Sequence, residues 1–206
     1  MTSPLTLYYA PHACSLSPHI VLHELGLPFD AVKVDNKSKR TARGEDFLAI
    51  NPKGYVAALR LEDGRVLTEG PAILQYLADL RPEAALAPPA GSWERVRLQE
   101  MLSFITSELH AGMSPLFSDS FGEEVKAVFR ERLFRRIAHV EQALQATPYL
   151  MGERFGVADA YLFTVLGWLR FFGIGMERWP ALARFMAAMA QRPSVRAALA
   201  AEGIEG

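Results

Sequence analysis

Residues 5–25 read LTLYYAPHACSLSPHIVLHEL and carry the two patterns that decide the fold. Leu5–Tyr9 is a short run of β-favouring residues, which predicts a strand. In Ser15–Leu25 the apolar residues recur at helical spacing, and Pro18 comes early enough to be tolerated in a first turn. The proline-containing stretch between them, Ala10–Ala13, predicts a loop, so the chain begins as a strand, a loop and a helix.

The same alternation continues to residue 80. Asp63-Gly64 lies between two apolar runs, which is a good signal for a β-hairpin. The order β-α-β-α-β-β-α predicts a compact α/β layer structure. The remaining predicted elements are a strand at Ala31–Val34, a short helix at Glu45–Ile50, hairpin strands at Ala57–Leu61 and Arg65–Leu67, and a helix at Pro71–Leu80.

A proline- and glycine-containing stretch, Arg81–Ser92, is the best candidate for a linker. Beyond it strand signals almost disappear, which predicts an all-helical second unit. We therefore expect an α/β domain at 1–81, a linker at 82–91 and an all-helical domain at 92–206. The predicted helices of that domain are Trp93–Phe117, Glu123–Ala146, Val157–Phe172, Ala181–Ala190 and Val195–Ala201.

The composition excludes several classes of protein. Half of the 206 residues are hydrophobic and the net charge is −1, which argues against binding nucleic acid or anionic membranes through bulk charge. The single cysteine, Cys14, excludes a disulfide-built scaffold and a cysteine-rich zinc module. His19 and His23 are four residues apart without an apparent third ligand, so we expect no metal site. No leader peptide or membrane span is visible, and we expect a cytoplasmic protein.

Cys14 is placed where a thiol can be activated. It comes just before the first helix, whose N-terminal amides favour an anion, so we expect the pKa of this thiol to be lowered. The alternative is a small buried hydrophobic residue, the usual fate of a free cysteine. Because the chain has no second thiol, any disulfide chemistry here needs an external thiol.

Two patterns in the helical half involve candidate functional or structural residues. Ser103, Ser107 and His110 are spaced by four and three residues, which places them on one helix face as the lining of a cleft or as a solvent-facing stripe. Asp159 follows Gly156 at the position where its carboxylate can accept from the helix-capping amide. That is half of a capping box, so we expect Asp159 to be structural.

Segments in both halves resemble the bacterial beta-class glutathione S-transferases, in the same order and spacing. The resemblance covers nearly the whole chain and is therefore specific. The segments are residues 7–11 (LYYAP), 13–19 (ACSLSPH), 47–54 (FLAINPKG), 67–70 (LTEG), 72–73 (AI), 75–79 (QYLAD), 108–110 (ELH), 114–117 (SPLF), 157–164 (VADAYLFT) and 191–193 (QRP).

The resemblance implies a thioredoxin-like N-terminal domain, an α-helical C-terminal domain and a homodimer. It implies conjugation of glutathione, the co-substrate, to small hydrophobic electrophiles, with detoxification as the role. Cys14 and His110 would be the catalytic residues, Cys14 contacting the glutathione sulfur. Glu69 and Gly70 would hold the γ-glutamyl end, and Glu108 would reach the partner subunit's ligand. The other residues implied to bind glutathione are Tyr9, Ser15, Lys39, Val56, Ser103 and Ser107.

The sequence departs from the family pattern inside the implied site. Ala57 stands where the family has a cis-proline after the residue matching Val56, and Ala111 stands where it tends to have lysine. Ser103 replaces a common asparagine, and His12 replaces a small residue. A cis bond before a non-proline residue costs about 2.5–4 kcal/mol, so we expect a trans Val56–Ala57 bond.

These departures leave two alternatives open beside the transferase. The first is a binding or stress protein that keeps the fold, binds glutathione weakly and has lost its turnover. The second is a glutathione-dependent thiol-disulfide reductase.

Overall fold

The first of two compact units is built on a five-stranded sheet. The computed structural model describes residues 5–204, and this unit comprises the chain up to Ala87 together with the segment from Ala190 onward. Its elements are β1 (Thr6–Tyr9), α1 (Leu16–Leu25), β2 (Asp30–Asp35), β3 (Arg40–Thr41), α2 (Phe47–Ile50), β4 (Ala58–Arg60), β5 (Val66–Thr68), α3 (Gly70–Leu80), a 3₁₀ turn (Pro82–Ala84) and α9 (Pro193–Glu202).

The sheet order is β3-β2-β1-β4-β5, with β1 and β2 parallel and the other neighbours antiparallel. Leu7 at the centre of β1 pairs with Ala31 on one side and Leu59 on the other. The order of elements agrees with the one expected from sequence, apart from β3. That strand has only two residues, Arg40 and Thr41, which is too short to show an alternating pattern.

Burial in this unit follows the periodicities of the sequence. In β2, Val32 and Val34 are buried while their neighbours Ala31, Lys33 and Asp35 are exposed, as a strand with one core face requires. The α1 and α3 helices pack against each other. The loop between β1 and α1 therefore starts from a buried strand and ends on a buried helix, which gives Cys14 a firm support.

The second unit, Pro88–Met189, contains helices and no strand within the described residues. A segment of π-helix interrupts the first long helix immediately before residue 111, a feature that the sequence pattern does not reveal. No helix among residues 5–204 is long and apolar enough to cross a bilayer. The elements are α4 (Trp93–Phe104), the π segment (Ile105–His110), α5 (Ala111–Phe117), α6 (Glu123–Ala146), α7 (Val157–Leu166), a 3₁₀ helix (Gly167–Phe172) and α8 (Pro180–Ala190).

The last helix belongs with the first unit by its contacts, whereas the sequence pattern assigned all of 92–206 to the helical domain. The α9 helix packs against α1. Its Glu202 carboxylate lies 2.9 Å from Nδ1 of His19, and both side chains are almost completely buried. Arg192, just before α9, pairs with Glu24 of α1. Helical periodicity identifies α9 as a helix but carries no information about the partner on which it packs.

Candidate glutathione site

Cys14 lies in the loop between β1 and α1, as the sequence predicts. Its Sγ donates a hydrogen bond to the Val56 carbonyl at 3.2 Å, which joins two loops that are 42 residues apart. Burial raises the pKa of the thiol to about 11, because it outweighs the opposing effect of nearby backbone amides. The expectation of a lowered pKa is therefore wrong: the helix N-terminus is present, but desolvation of the thiolate is the larger effect.

The Val56–Ala57 peptide bond is cis, so the expectation of a trans bond is also wrong. That expectation considered only the intrinsic preference of a bond before a non-proline residue. Val56 and Ala57 are both buried, and the Val56 carbonyl accepts from Cys14. A rule based on residue type alone does not take tertiary contacts of this kind into account.

Glu69 comes immediately before the α3 helix and has an unusual backbone conformation, with φ at +71°. A non-glycine residue rarely adopts this conformation, and such residues cluster at functional sites. Its carboxylate is largely exposed and lies 2.6 Å from Nζ of Lys53. Its negative charge further raises the pKa of Cys14. Glu69 is thus a solvent-accessible anion at a helix start, followed directly by Gly70.

Lys39 approaches the same loop as Cys14 does. Its Nζ donates to the Gly54 carbonyl at 2.8 Å and lies 5.6 Å from the centre of the Tyr55 ring. Lys39 also has a positive φ, of 55°. Two carbonyls of the loop that ends at Val56 therefore accept hydrogen bonds from side chains: the Gly54 carbonyl from Lys39 and the Val56 carbonyl from Cys14.

Two of the residues implied to bind glutathione also make contacts inside the protein. The Ser15 hydroxyl is fully buried and bonds both the amide and the carbonyl of Ala10, at 3.2 and 3.3 Å. The Tyr9 ring is buried and packs against His19, with centroids 5.5 Å apart. Burial, together with the charge of Glu202, raises the pKa of Tyr9. The Ser15 hydroxyl therefore supports the loop that carries Cys14, while the Tyr9 ring packs on the helix that follows this loop.

In the second unit, His110 ends the π segment and is held by two aromatic residues. Its Nδ1 lies 2.7 Å from the Tyr161 hydroxyl, and its ring meets the edge of Trp168 with centroids 4.8 Å apart. Tyr161, on α7, was not assigned a role from the sequence. It lies 51 residues further along the chain, and no spacing rule connects the two.

The other polar residues of this face are less buried. Ser103 and Ser107 are exposed, and each hydroxyl donates to the carbonyl four residues before it, on Gln99 and Ser103 respectively. The Glu108 carboxylate accepts from Nε of Arg136 at 2.5 Å and lies 3.5 Å from the Arg132 guanidinium. The hydrogen bond from Arg136, supported by Arg132, lowers the pKa of Glu108.

Asp159 forms the contact that its spacing predicts. It is fully buried, and its Oδ2 accepts from the Gly156 amide at 2.8 Å. Its Oδ1 also accepts from the Leu150 amide at 2.9 Å, which ties the preceding loop to the start of α7. Both of these bonds go to backbone amides, which is what the structural role expected for Asp159 requires.

No group of three or more metal-ligating side chains was found in residues 5–204. The pair considered from the sequence, His19 and His23, stack with their ring centroids 5.1 Å apart. His19 bonds Glu202 through Nδ1, and burial together with His19 lowers the pKa of His23. His19 is therefore part of the packing between α1 and α9, and His23 stacks against it.

The chain matches models of both halves of one enzyme family. Residues 13–80 match the glutathione S-transferase N-terminal domain, and residues 104–193 match its C-terminal domain. The glutathione S-transferase GstA of Escherichia coli O157:H7 is 46% identical over 98% of this chain and 100% of its own length.

Solved structures show the same relation. A ternary complex of BphK, a bacterial GST, is 51% identical, with a TM-score of 0.94 over 97% of this chain and 100% of its own. A sphingomonad glutathione S-transferase complexed with glutathione is 46% identical, with a TM-score of 0.93 and the same coverage. The fold is thus a thioredoxin-like domain followed by a helical domain, and the chain belongs to the glutathione S-transferase family.

Proposed function

We propose that this chain conjugates the thiol of glutathione to small hydrophobic electrophiles. The observation that supports this most directly is the grouping of Cys14, Lys39 and Glu69 around the loop that ends at Val56. Glutathione is a zwitterionic tripeptide with a thiol. Its binding requires groups of this kind: a thiol, a cation, an anion at a helix start and a backbone segment.

Each group is suited to a different part of glutathione. The Glu69 carboxylate takes the ammonium of the γ-glutamyl end, while the Gly70 amide at the start of α3 takes its carboxylate. The Val56 backbone pairs with the cysteinyl part, and Lys39 serves the glycyl carboxylate. Cys14 is a neutral thiol at neutral pH, so it contacts the glutathione sulfur as a hydrogen-bonding group rather than as a nucleophile.

The reaction uses the sulfur of glutathione as the nucleophile. The thiol loses its proton to solvent, the thiolate forms a carbon–sulfur bond with the electrophile, and the leaving group departs with its electron pair. The family resemblance implies that His110 is a catalytic residue, and we assign it the role of stabilising this thiolate, which lowers the cost of forming the anion. The exposed edge of the aromatic cluster around Phe117 and Phe171 favours hydrophobic electrophiles.

Calorimetric titration of the full chain with glutathione tests the binding assignment. We expect saturable binding, and a loss of affinity of about tenfold or more in Glu69→Gln, because a charge-assisted hydrogen bond is removed. The matched control, Glu62→Gln, changes an exposed carboxylate of the β4–β5 hairpin and should bind as the wild type does. Absence of binding to the wild type would refute the proposal, and wild-type affinity in Glu69→Gln would refute the role of Glu69.

The same proposal includes a homodimer in the cytoplasm. On α4, Trp93 and Val96 lie one helical turn apart with 69% and 47% of their surface exposed, which favours burial against a second copy. Size-exclusion chromatography with light scattering should give roughly twice the chain mass of 22.8 kDa. A mass equal to one chain at micromolar concentration would contradict the dimer.

The reductase alternative is less well supported. Thiol-disulfide exchange requires a thiolate, and the raised pKa keeps Cys14 protonated near neutral pH. Disulfide reduction that disappears in Cys14→Ser would favour this alternative over conjugation.

A further inference from the structure

Lys53 is a charged residue beside the candidate site to which the proposed function gives no role. Its ammonium lies 2.6 Å from Oε1 of Glu69 and 3.0 Å from Oγ1 of Thr68. The side chains of Lys53 and Glu69 are 57% and 65% exposed, so both charges face solvent. Thr68 ends β5, where it pairs with Ala58 of β4. All four residues belong to the first unit.

The backbone at Lys53 is fixed by the side chain of Asn51, which is 3% exposed. Its Oδ1 accepts from the Lys53 amide at 3.2 Å, and its Nδ2 donates to the Tyr55 carbonyl at 2.7 Å. Gly54 has a φ of +72°, a conformation that glycine adopts without strain. Lys53 therefore projects from an ordered turn, and its ammonium reaches from this turn to the residue before α3.

The ion pair of Lys53 with Glu69 is poorly suited to stabilising the fold. Water screens exposed charges, and pairs of this kind contribute little to the free energy of folding. The pair does provide a positive and a negative charge 2.6 Å apart and open to solvent. An α-amino acid group carries its ammonium and its carboxylate on one carbon atom, so its two charges are similarly close. When such a group lies head to tail on the pair, each of its charges meets the opposite charge of the protein.

Both side chains can bind a ligand without separating from each other. An ammonium has three donors, and the contacts with Glu69 and Thr68 use two of them. A carboxylate accepts through two oxygens, and Lys53 contacts Oε1. The third donor of Lys53 is thus suited to a ligand carboxylate, and Oε2 of Glu69 is suited to a ligand ammonium.

We propose that Lys53 is a specificity-determining residue whose ammonium binds the α-carboxylate at the γ-glutamyl end of glutathione. This rests on the proposed function, in which Glu69 binds the neighbouring ammonium and the Gly70 amide donates to the same carboxylate. The amide is a neutral donor, whereas Lys53 supplies the positive charge that makes a hydrogen bond to a carboxylate strong. The pair of Lys53 and Glu69 then selects thiols that carry a free α-amino acid group.

Calorimetric titration of the full chain with two ligands tests this assignment. One ligand is glutathione, and the other is its analogue with a γ-aminobutyryl group, which keeps the ammonium and lacks the α-carboxylate. We expect the wild type to bind glutathione at least about tenfold more tightly than the analogue. Lys53→Met keeps the apolar stem and removes the charge. It should bind glutathione about tenfold less tightly than the wild type does, and the analogue within about twofold of the wild type.

The matched control is Lys33→Met, which removes the same charge from an exposed lysine of β2. This variant should bind both ligands as the wild type does. A loss of glutathione affinity in Lys33→Met as large as that in Lys53→Met would overturn the proposal, because it would show an effect of bulk charge. Binding of the analogue by Lys53→Met shows that this variant is folded.

The two levels of the argument fail separately. Equal affinity of the wild type for the two ligands overturns the role of Lys53 without any variant. Lys53→Met overturns that role if it keeps or gains affinity for glutathione, or if it loses affinity for both ligands equally. A gain would mean that Lys53 competes with the ligand ammonium for Glu69. A wild-type chain that binds neither ligand overturns the proposed function and this inference together.

Discussion

At Cys14, burial and the helix N-terminus act on the thiol in opposite directions, and burial is the stronger. Backbone amides near Cys14 and Ser15 favour the thiolate, but removing the anion from water disfavours it more. The sequence locates the residue correctly between β1 and α1. It cannot report the depth of burial, because that depends on the loop ending at Val56, which lies 42 residues away.

Alkylation of Cys14 should therefore be slow at neutral pH. A raised pKa means that the thiol predominates until the pH approaches about 11, whereas an unperturbed cysteine ionises near 9.0. We expect the rate of reaction with iodoacetamide, followed by mass spectrometry, to rise with a midpoint near the higher value. Cys14→Ala controls for reaction at other residues, and a midpoint below 9 would show that the thiolate is stabilised.

At the scale of the element, helix starts are the features that the sequence predicts best. The bond from the Gly156 amide to Asp159 follows from a spacing of three residues, and the structure contains it. The second bond, from the Leu150 amide, comes from a loop whose path no local pattern describes. The π segment before Ala111 was missed because its apolar spacing resembles that of an ordinary helix.

Replacing Asp159 by alanine should destabilise the protein by about 2–4 kcal/mol, because two buried amides lose their acceptor. Urea unfolding at fixed protein concentration measures the change. Asp119→Ala, at an exposed position, is the control and should lie within about 0.5 kcal/mol of the wild type. Loss of conjugation by Asp159→Ala at unchanged stability would show that this carboxylate is not structural.

At the scale of the whole molecule, two units were predicted from sequence because strand signals almost disappear beyond the linker expected at 82–91. The sequence could not predict that α9 belongs to the first unit, because this depends on the contacts of His19 and Glu24 with residues of the C-terminal segment. The candidate site was predicted mostly through family motifs, and the assignment of Cys14, Glu69 and His110 to it stays a prediction. Ser15 and Tyr9 lie in those motifs too, and no motif predicts that the Ser15 hydroxyl bonds Ala10 or that the Tyr9 ring packs on His19.

The most direct test of the account is the steady-state conjugation of glutathione to a chloronitrobenzene by the full chain, followed by the absorbance of the thioether. The account predicts turnover that saturates with glutathione and a loss of kcat of at least about tenfold in His110→Gln. It predicts that Cys14→Ala still turns over, because the nucleophile is the glutathione sulfur. Absence of conjugation by the wild-type chain, at glutathione concentrations that saturate the calorimetric titration, would contradict the account.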